Sequence, residues 1–449
     1  MSGVRTIGLA WAVAAAVALG GPQAPAAAAP RPSEPLTSQL VSKRGTAVSA
    51  PTSQALPGGG AVLAWVSSRA SAPDKRIQVR IAHAGGGLSP ILTVARVSRS
   101  RGGFSRARLA LAVAGDGTVA LMWTLESEAA VHVALLRDKV IADEVVVPLS
   151  EGARPGSPGI CATEGGDFDL FWVNGIQIDP FGLWRLNHVR LDADGNVGPS
   201  ERVAGAGLIS SVATAPSGPD CTVVWSELGD DSATESVRSA SVTAAGATGP
   251  VSTLETIADA TQASLGSVAA ASSGGSVFAA WGRYSSESPA IRAAVITAGS
   301  PAPTTTVSES ESDYVTRPAV TAFGPDGAAV AWERSRPGRH SPHFRIEART
   351  WAASGELGPL APISAFGTAH APRLAGHDPS LVTWIDDDAE IHLARWDGDE
   401  VTRSRGGFGP GKNLRLVADA RGRVAFLTWV QHLERAQGVL RLATVNGRR

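Results

Sequence analysis

Ala61-Val62-Leu63-Ala64-Trp65 is a run of four aliphatic residues closed by a tryptophan, and runs of this kind return seven more times along the 449-residue chain. They are Val119-Ala-Leu-Met-Trp123, Phe168-Asp-Leu-Phe-Trp172, Cys221-Thr-Val-Val-Trp225, Val277-Phe-Ala-Ala-Trp281, Ala328-Ala-Val-Ala-Trp332, Ser380-Leu-Val-Thr-Trp384 and Ala425-Phe-Leu-Thr-Trp429. The spacing between successive tryptophans varies from 58 residues (Trp65 to Trp123) to 45 (Trp384 to Trp429). A period of this size is the mark of a repeat architecture, in which each unit buries its face against the next. The runs are short, β-branched or aromatic, and bounded by Gly, Asp or Pro, which are strand signals. Their low polarity on both alternating faces predicts a strand covered from two sides.

Outward from each tryptophan comes a polar loop and a second strand, such as Ile77-Gln-Val-Arg-Ile81, Val131-His-Val-Ala-Leu135 or Leu440-Arg-Leu-Ala-Thr444. Glycine turns follow, as in Asp192-Ala-Asp-Gly195, where positive φ is needed, and then a weaker outer strand such as Leu88-Ser-Pro-Ile-Leu92. With the apolar stretch before each Gly-bearing turn, that makes four strands per unit, a to d from the inside outward. Eight such units predict an all-β chain, an eight-bladed β-propeller of four-stranded antiparallel blades. Unit eight ends at Val445-Asn-Gly-Arg-Arg449 without an outer strand, whereas Glu34-Pro-Leu-Thr-Ser-Gln-Leu-Val-Ser42 is a spare strand ahead of unit one. The N-terminal strand is therefore expected to complete the last blade and remove the free edge.

The units resemble secreted bacterial propellers with sialidase-like or TolB-like repeats. Gly324-Pro-Asp-Gly327, ahead of Trp332, resembles the aspartate box of sialidases, though with a different Asp-to-Trp spacing. The Gly-His and Trp-Asp signature of WD40 blades is missing.

Residues 1–29 read as an export leader. Arg5 starts it, Ile7 to Leu19 are its apolar core, and the Ala-rich stretch to Ala29 offers cleavage after Ala26 or Ala28. Residues 30–449 are then expected to form a single secreted, monomeric propeller domain without a membrane span. A formal charge of −1 gives no field toward nucleic acid. Lys43, Lys75, Lys139 and Lys412 are the only lysines among 40 basic residues, a bias expected of a GC-rich, actinobacterial genome. Cys161 and Cys221 fall near a–b turns of adjacent blades, where a disulfide is allowed.

Strand parity places the a–b and c–d turns on one face of the disc and the b–c loops and blade connections on the other. The first set is short and Gly-rich; the second varies in length and is the expected binding face. Four features fall on it. The hexapeptides Arg99-Ser-Arg101-Gly-Gly-Phe104 and Arg403-Ser-Arg405-Gly-Gly-Phe408 are identical, and Arg101 with Arg405 form either an anion clamp or a pair of solvated relics of duplication. The blade-six loop carries Arg334, Arg336, Arg339, His340 and His343, a basic loop or half of a metal site. Asp386 and Asp388 are a charged hairpin tip or weak Ca²⁺ ligands. Phe181 and Trp184 are sugar platforms or a cover over the apolar rim.

No nucleophile elbow, zincin helix or phosphate loop occurs, and Tyr284 and Tyr314 are the only tyrosines available to a sialidase-like nucleophile. No cofactor is expected. The reading is a non-enzymatic module recognising an extracellular glycan, cell-wall polymer or protein. The alternatives are a glycan-active hydrolase or lyase with its site in the central funnel, and an envelope scaffold.

Overall fold

The computed structural model describes residues 38–446 apart from 70–73, 99–106, 151–152, 177–182, 206, 261–262, 286–288, 309–313, 337–341, 377–378, 405–407, 409, 419–423 and 434–436. The leader-like residues 1–29 lie outside the described residues.

Each Trp-ended run is the second strand of an antiparallel sheet. Blade one consists of strands a to d at Ala47–Ala55, Ala61–Ser68, Asp74–Ala82 and Leu92–Ser98. Blade two follows at Ala107–Val113, Val119–Leu125, Ala130–Arg137 and Val140–Pro148, and blade three at Ala153–Ala162, Phe168–Ile176, Leu183–Leu191 and Glu201–Ala204. Blade four spans Leu208–Ser217, Asp220–Leu228, Glu235–Val242 and Ser252–Ile257. Blade five has Ala263–Ser273, Ser276–Ser285 and Ala290–Thr297, with an outer edge split into Ser300–Pro301 and Thr305–Thr306. Blades six and seven run Tyr314–Phe323, Gly327–Arg336, His343–Ala352, Ala361–Pro362 and His370–Ala375, Ser380–Ile385, Ile391–Trp396, Val401–Ser404. Blade eight has Lys412–Ala418, Val424–Leu433 and Gln437–Asn446, and its fourth strand is Ser38–Leu40 from the other end of the chain. The protein is an eight-bladed all-β propeller. Among the described residues no helix is long and apolar enough to cross a membrane.

The tryptophans make the joints. Trp123 packs among Val62, Val79 and Val97 of blade one, Trp281 against Val224 and Val237 of blade four, and so on around the disc. At the seam, Trp65 of blade one shares a cluster with Phe426, Leu440 and Leu442 of blade eight. All eight strand-b tryptophans are 6 % exposed or less, which explains why the runs are apolar on both faces. The residue across the ladder from each one on strand c is polar in every blade: Gln78, His132, Asn187, Arg238, Arg292, Glu347, His392 and Arg441. In two blades the flat indole covers the ring of that partner: His132 and His392 stack on Trp123 and Trp384 within 10° of parallel.

Closure is tied on both sides of the seam. Ser38, Gln39 and Leu40 pair with Ala443, Leu442 and Arg441. Val41 is fully buried and donates its N–H to the Leu440 carbonyl at 2.8 Å, while Leu440 N–H donates to Ser42 Oγ at 3.0 Å. Toward blade one, Arg80 Nη1 donates to the Val41 carbonyl at 2.7 Å, and Gln39 Nε2 to the Gly86 carbonyl at 2.7 Å. Cys161 and Cys221 form a disulfide across the joint of blades three and four, Cα–Cα 6.2 Å, with both side chains buried.

Candidate functional site

The innermost strands carry a local irregularity whose chemistry differs around the ring. Seven of the eight a strands lose register near their start, at the end facing the b–c loops; only blade two pairs without a shift. In blades six, seven, eight and one the two extra residues lie opposite the tryptophan, and the first of them is left-handed without being glycine. These residues are Arg317 (φ 53°), Ala371 (52°), Asn413 (54°) and Ala50 (47°). Four neighbouring blades thus hold a costly backbone conformation at one end of the axis. Bulges and left-handed side-chain residues concentrate where a protein re-aims groups for function.

The next residue on each a strand pairs with the residue before the tryptophan. Around the ring this ladder position is Thr52, Ala110, Gly159, Ala213, Ala269 and Ala319 in blades one to six. In blades seven and eight it is Arg373 and Arg415. Thr52, Ala110 and Gly159 line a channel of about 350 Å³ along the inner strands of blades one to four. Small residues fit there because the strands converge; two adjacent arginines are the exception.

Both guanidiniums are half-buried. Arg373 donates from Nη1 to the Pro372 carbonyl at 2.8 Å and from Nε to the Leu414 carbonyl at 3.3 Å; Arg415 Nη1 donates to the same Leu414 carbonyl at 3.0 Å. Among the described residues neither has a carboxylate partner. Burial first, then the positive fields of Arg415 and Arg317, lowers the pKa of Arg373 to about 10. Burial lowers that of Arg415 as well, and that of Lys75. Arg415, Lys75 and Arg108 open onto a cavity of about 630 Å³ walled by Ser49, Ala50, Pro51 and Leu109. Arg108 is partly compensated by Glu126 at 3.5 Å.

Beside the arginines lies an acid–imidazole relay. Glu333, on strand b of blade six, is buried; its Oε2 takes the Ala371 N–H at 3.2 Å and Arg317 Nη1 at 3.3 Å. Its Oε1 is 3.3 Å from His370 Nδ1, and His370 Nε2 is 3.0 Å from Asp387 Oδ1. Phe344 packs on the imidazole, ring centroids 4.2 Å apart. Tyr284, from blade five, is hydrogen-bonded to the Arg317 backbone, and burial pushes its phenol pKa up. Tyr314, 53 % exposed, begins strand a of blade six at the same end.

At the opposite axial opening the described lining is plainer. A cavity of about 620 Å³ there is lined by Gly115, Gly218, Gly274, Gly275, Gly324 and neighbouring Ser, Pro, Ala and Thr, with Glu164 its one charged residue.

Of the residues expected from sequence, Arg101, Arg405, Arg339, His340 and Phe181 lie outside the described residues. Of the second hexapeptide, Arg403 donates to the Ile363 carbonyl at 2.9 Å and Phe408 packs edge-on against Trp429. Arg334 bonds Glu347 at 2.9 Å, which also takes Arg345 and the Trp332 indole N–H. Arg336 and Arg345 both lie against the Phe366 ring, at 4.4 and 4.3 Å from its centroid, and His343 is exposed opposite Arg336. Trp184 lies over Gly175, where any Cβ would sit 2.7 Å from its ring, and joins the cluster between blades three and four. Asp388 is exposed; Asp386 instead groups with Glu390 and His392, their ligand atoms all within 4.8 Å. These three are the described residues able to hold a cation. The same Trp–His–carboxylate stack recurs in blade two, where Glu128 takes His132 Nε2 at 2.9 Å, so Asp386 on His392 is first a way of seating an imidazole under a tryptophan.

No family model and none of the curated proteins matches the chain. Among solved structures it is similar to a puromycin-hydrolyzing peptidase of Mycobacterium tuberculosis, at 14% identity over 87% of this chain and 59% of that one, TM-score 0.46. It is similar to the β-propeller domain of the trilobed protease of Pyrococcus furiosus, at 9% identity over 82% and 98%, TM-score 0.45. It is also similar to an alpha-L-arabinanase of Penicillium chrysogenum complexed with arabinobiose, at 12% identity over 65% and 93%, TM-score 0.40. At these identities the likeness is one of fold alone.

Proposed function

We propose that this chain is a secreted, non-enzymatic recognition propeller that takes an extracellular glycan or cell-wall polymer into the axial mouth on its b–c face. One observation carries the reading: left-handed bulges and titratable groups gather at one axial opening, while the described cavity at the other is lined by small residues and one glutamate. A cavity of about 630 Å³ suits one or a few sugar rings. Only Tyr314 and Leu208, among the described exposed large apolar residues, begin inner strands at this end, too little for the apolar centre of a protein interface. The leader-like residues 1–29 and the Cys161–Cys221 bridge support an oxidising, extracellular setting.

A hydrolase reading has one observation in its favour, two carboxylates an imidazole's width apart. Yet His370 engages both Glu333 and Asp387, which leaves neither poised to protonate a leaving group. Binding is the better account. The test is a titration of the mature protein against cell-wall polysaccharides by calorimetry, with product release followed in the same samples. Binding that Tyr314→Ala weakens and Glu164→Ala leaves unchanged supports the mouth. Turnover lost in Glu333→Gln would instead make it an enzyme.

A further inference from the structure

Resting on that reading, we propose that the group seated in the axial mouth is the carboxylate of an acidic polysaccharide, gripped by Arg373 and Arg415 from adjacent inner strands. Strand packing does not ask for these arginines. The same ladder position is Ala319 in blade six and Thr52 in blade one, on strands with the same two-residue bulge opposite the same tryptophan. Replacing a small residue by a large cation in two adjacent blades brings two forked donors together on the Leu414 carbonyl, with Arg415 bordering the mouth cavity. The forks are anchored from below by the Pro372 and Leu414 carbonyls, which use three of their N–H groups and leave the others for a ligand.

Charge leads to the same conclusion. Arg317 lies close enough for its field to act on Arg373, and Lys75 and Arg108 share the cavity with Arg415. Against Arg373, Arg415, Arg317 and Arg108 the described residues of the mouth offer Glu333, Asp387 and Glu126, and Glu333 is already engaged by Arg317, His370 and the Ala371 N–H. Mutual repulsion between desolvated guanidiniums is relieved when an anion enters, and a carboxylate matches the planar fork. The exposed Tyr314 at the rim offers a flat face to the sugar that bears it.

The experiment uses the mature chain and a matched pair of probes, oligogalacturonate and its methyl ester, in which the same carboxyl is either free and ionised or capped and neutral. Poly-glutamate serves as an acidic peptide. The variants are Arg373→Ala with Arg415→Ala, whose folding is supported by Ala319 at the equivalent position, and Arg373→Lys, which keeps the charge and loses the fork. Arg137→Ala, on the opposite face, is the control. The expected result is binding of the acid but not the ester, weakened at least about tenfold in the double variant, by less in Arg373→Lys, and steeply by added salt. Equal binding of acid and ester, unaffected by the double variant, overturns the carboxylate inference and leaves a glycan-binding mouth standing. Preference for poly-glutamate, lost in the double variant, overturns the polysaccharide in favour of an acidic peptide. Failure of all three probes, and of neutral cell-wall glycans, overturns the inference and the binding reading together.

Discussion

Removing residues 31–41 should open the ring at its seam. The deletion takes out the fourth strand of blade eight and Val41, whose complete burial contributes about 2 kcal/mol. It also removes the ties of Val41 to Leu440, Arg80 to Val41 and Gln39 to Gly86, together with the ladder of Ser38 to Leu40, each hydrogen bond contributing roughly 1 kcal/mol net. Four residues no longer ordered return about 4 kcal/mol of conformational entropy. The balance is a loss of about 3 kcal/mol, and it falls on the cluster that holds Trp65 against Phe426 and Leu440. Urea unfolding followed by tryptophan fluorescence is the assay, since the strand-b tryptophans report directly on the joints. The midpoint should drop, and the bared edge of Gln437–Asn446 should favour pairing between molecules, visible as dimers in size-exclusion chromatography. Val41→Ser isolates the apolar part, with an expected loss of about 2 kcal/mol. A truncated chain with the parent's midpoint, slope and elution volume would refute the view that this strand seals the disc.

Three further outcomes follow from the same geometry. Arg373 has a folded-state pKa near 10, below the ordinary guanidinium value, so the folded state disfavours its charged form; the penalty is complete below about pH 10 and fades as the pH climbs toward the unfolded value. Arg373→Ala should therefore unfold at higher urea than the parent at neutral pH, by about 1–2 kcal/mol once the lost stem packing is counted, and a clear destabilisation would contradict the uncompensated charge. Reducing Cys161–Cys221 frees a loop with a sequence separation of 60 and should lower stability by about 4 kcal/mol, measured as the shift in urea midpoint with and without reductant under otherwise equal conditions. Burial raises the pKa of Glu235, which accepts the Leu265 N–H at 2.7 Å, so its contribution to stability is lost as the pH rises through that folded value; Glu235→Gln keeps an acceptor, and should match the parent in acid and exceed it at neutral pH.

The architecture was readable because one large residue does the same job in every unit. A tryptophan on strand b must be covered by the preceding blade, so it stays apolar in its surroundings and fixes both the period and the strand count. The bulged a strands were not readable in the same way. The equivalent ladder positions stand 13 residues before Trp65, 13 before Trp332, 11 before Trp384 and 14 before Trp429, because a–b turn length varies from blade to blade. Arg373 and Arg415 therefore never fall into line by counting, and a scan for basic clusters passes over them in favour of Arg334-Ser-Arg336 and the Arg-Ser-Arg hexapeptides. Pro372 beside Arg373, like Pro51 and Pro318 in the same second bulge position, was the available signal: proline where a ladder donor is missing marks a bulge. The relay of Glu333, His370 and Asp387 joins two strands and a loop of neighbouring blades, and long-range meetings of this kind leave no spacing to read.

Two kinds of cost coincide in one half of the disc, and their coincidence is the reason to look for function there. A left-handed alanine, asparagine or arginine is disfavoured by about 1 kcal/mol, and glycine would remove that cost at any of the four positions. Gly156 and Gly266 occupy bulges in blades three and five without needing a positive φ, so glycine is not kept out of these strands by packing. Desolvating Arg373 and Arg415 beside one another costs more again, with alanine already serving the same position in four other blades. Stability alone would select against each feature separately. The proposed binding at this mouth accounts for why the fold carries all of them around one axial opening.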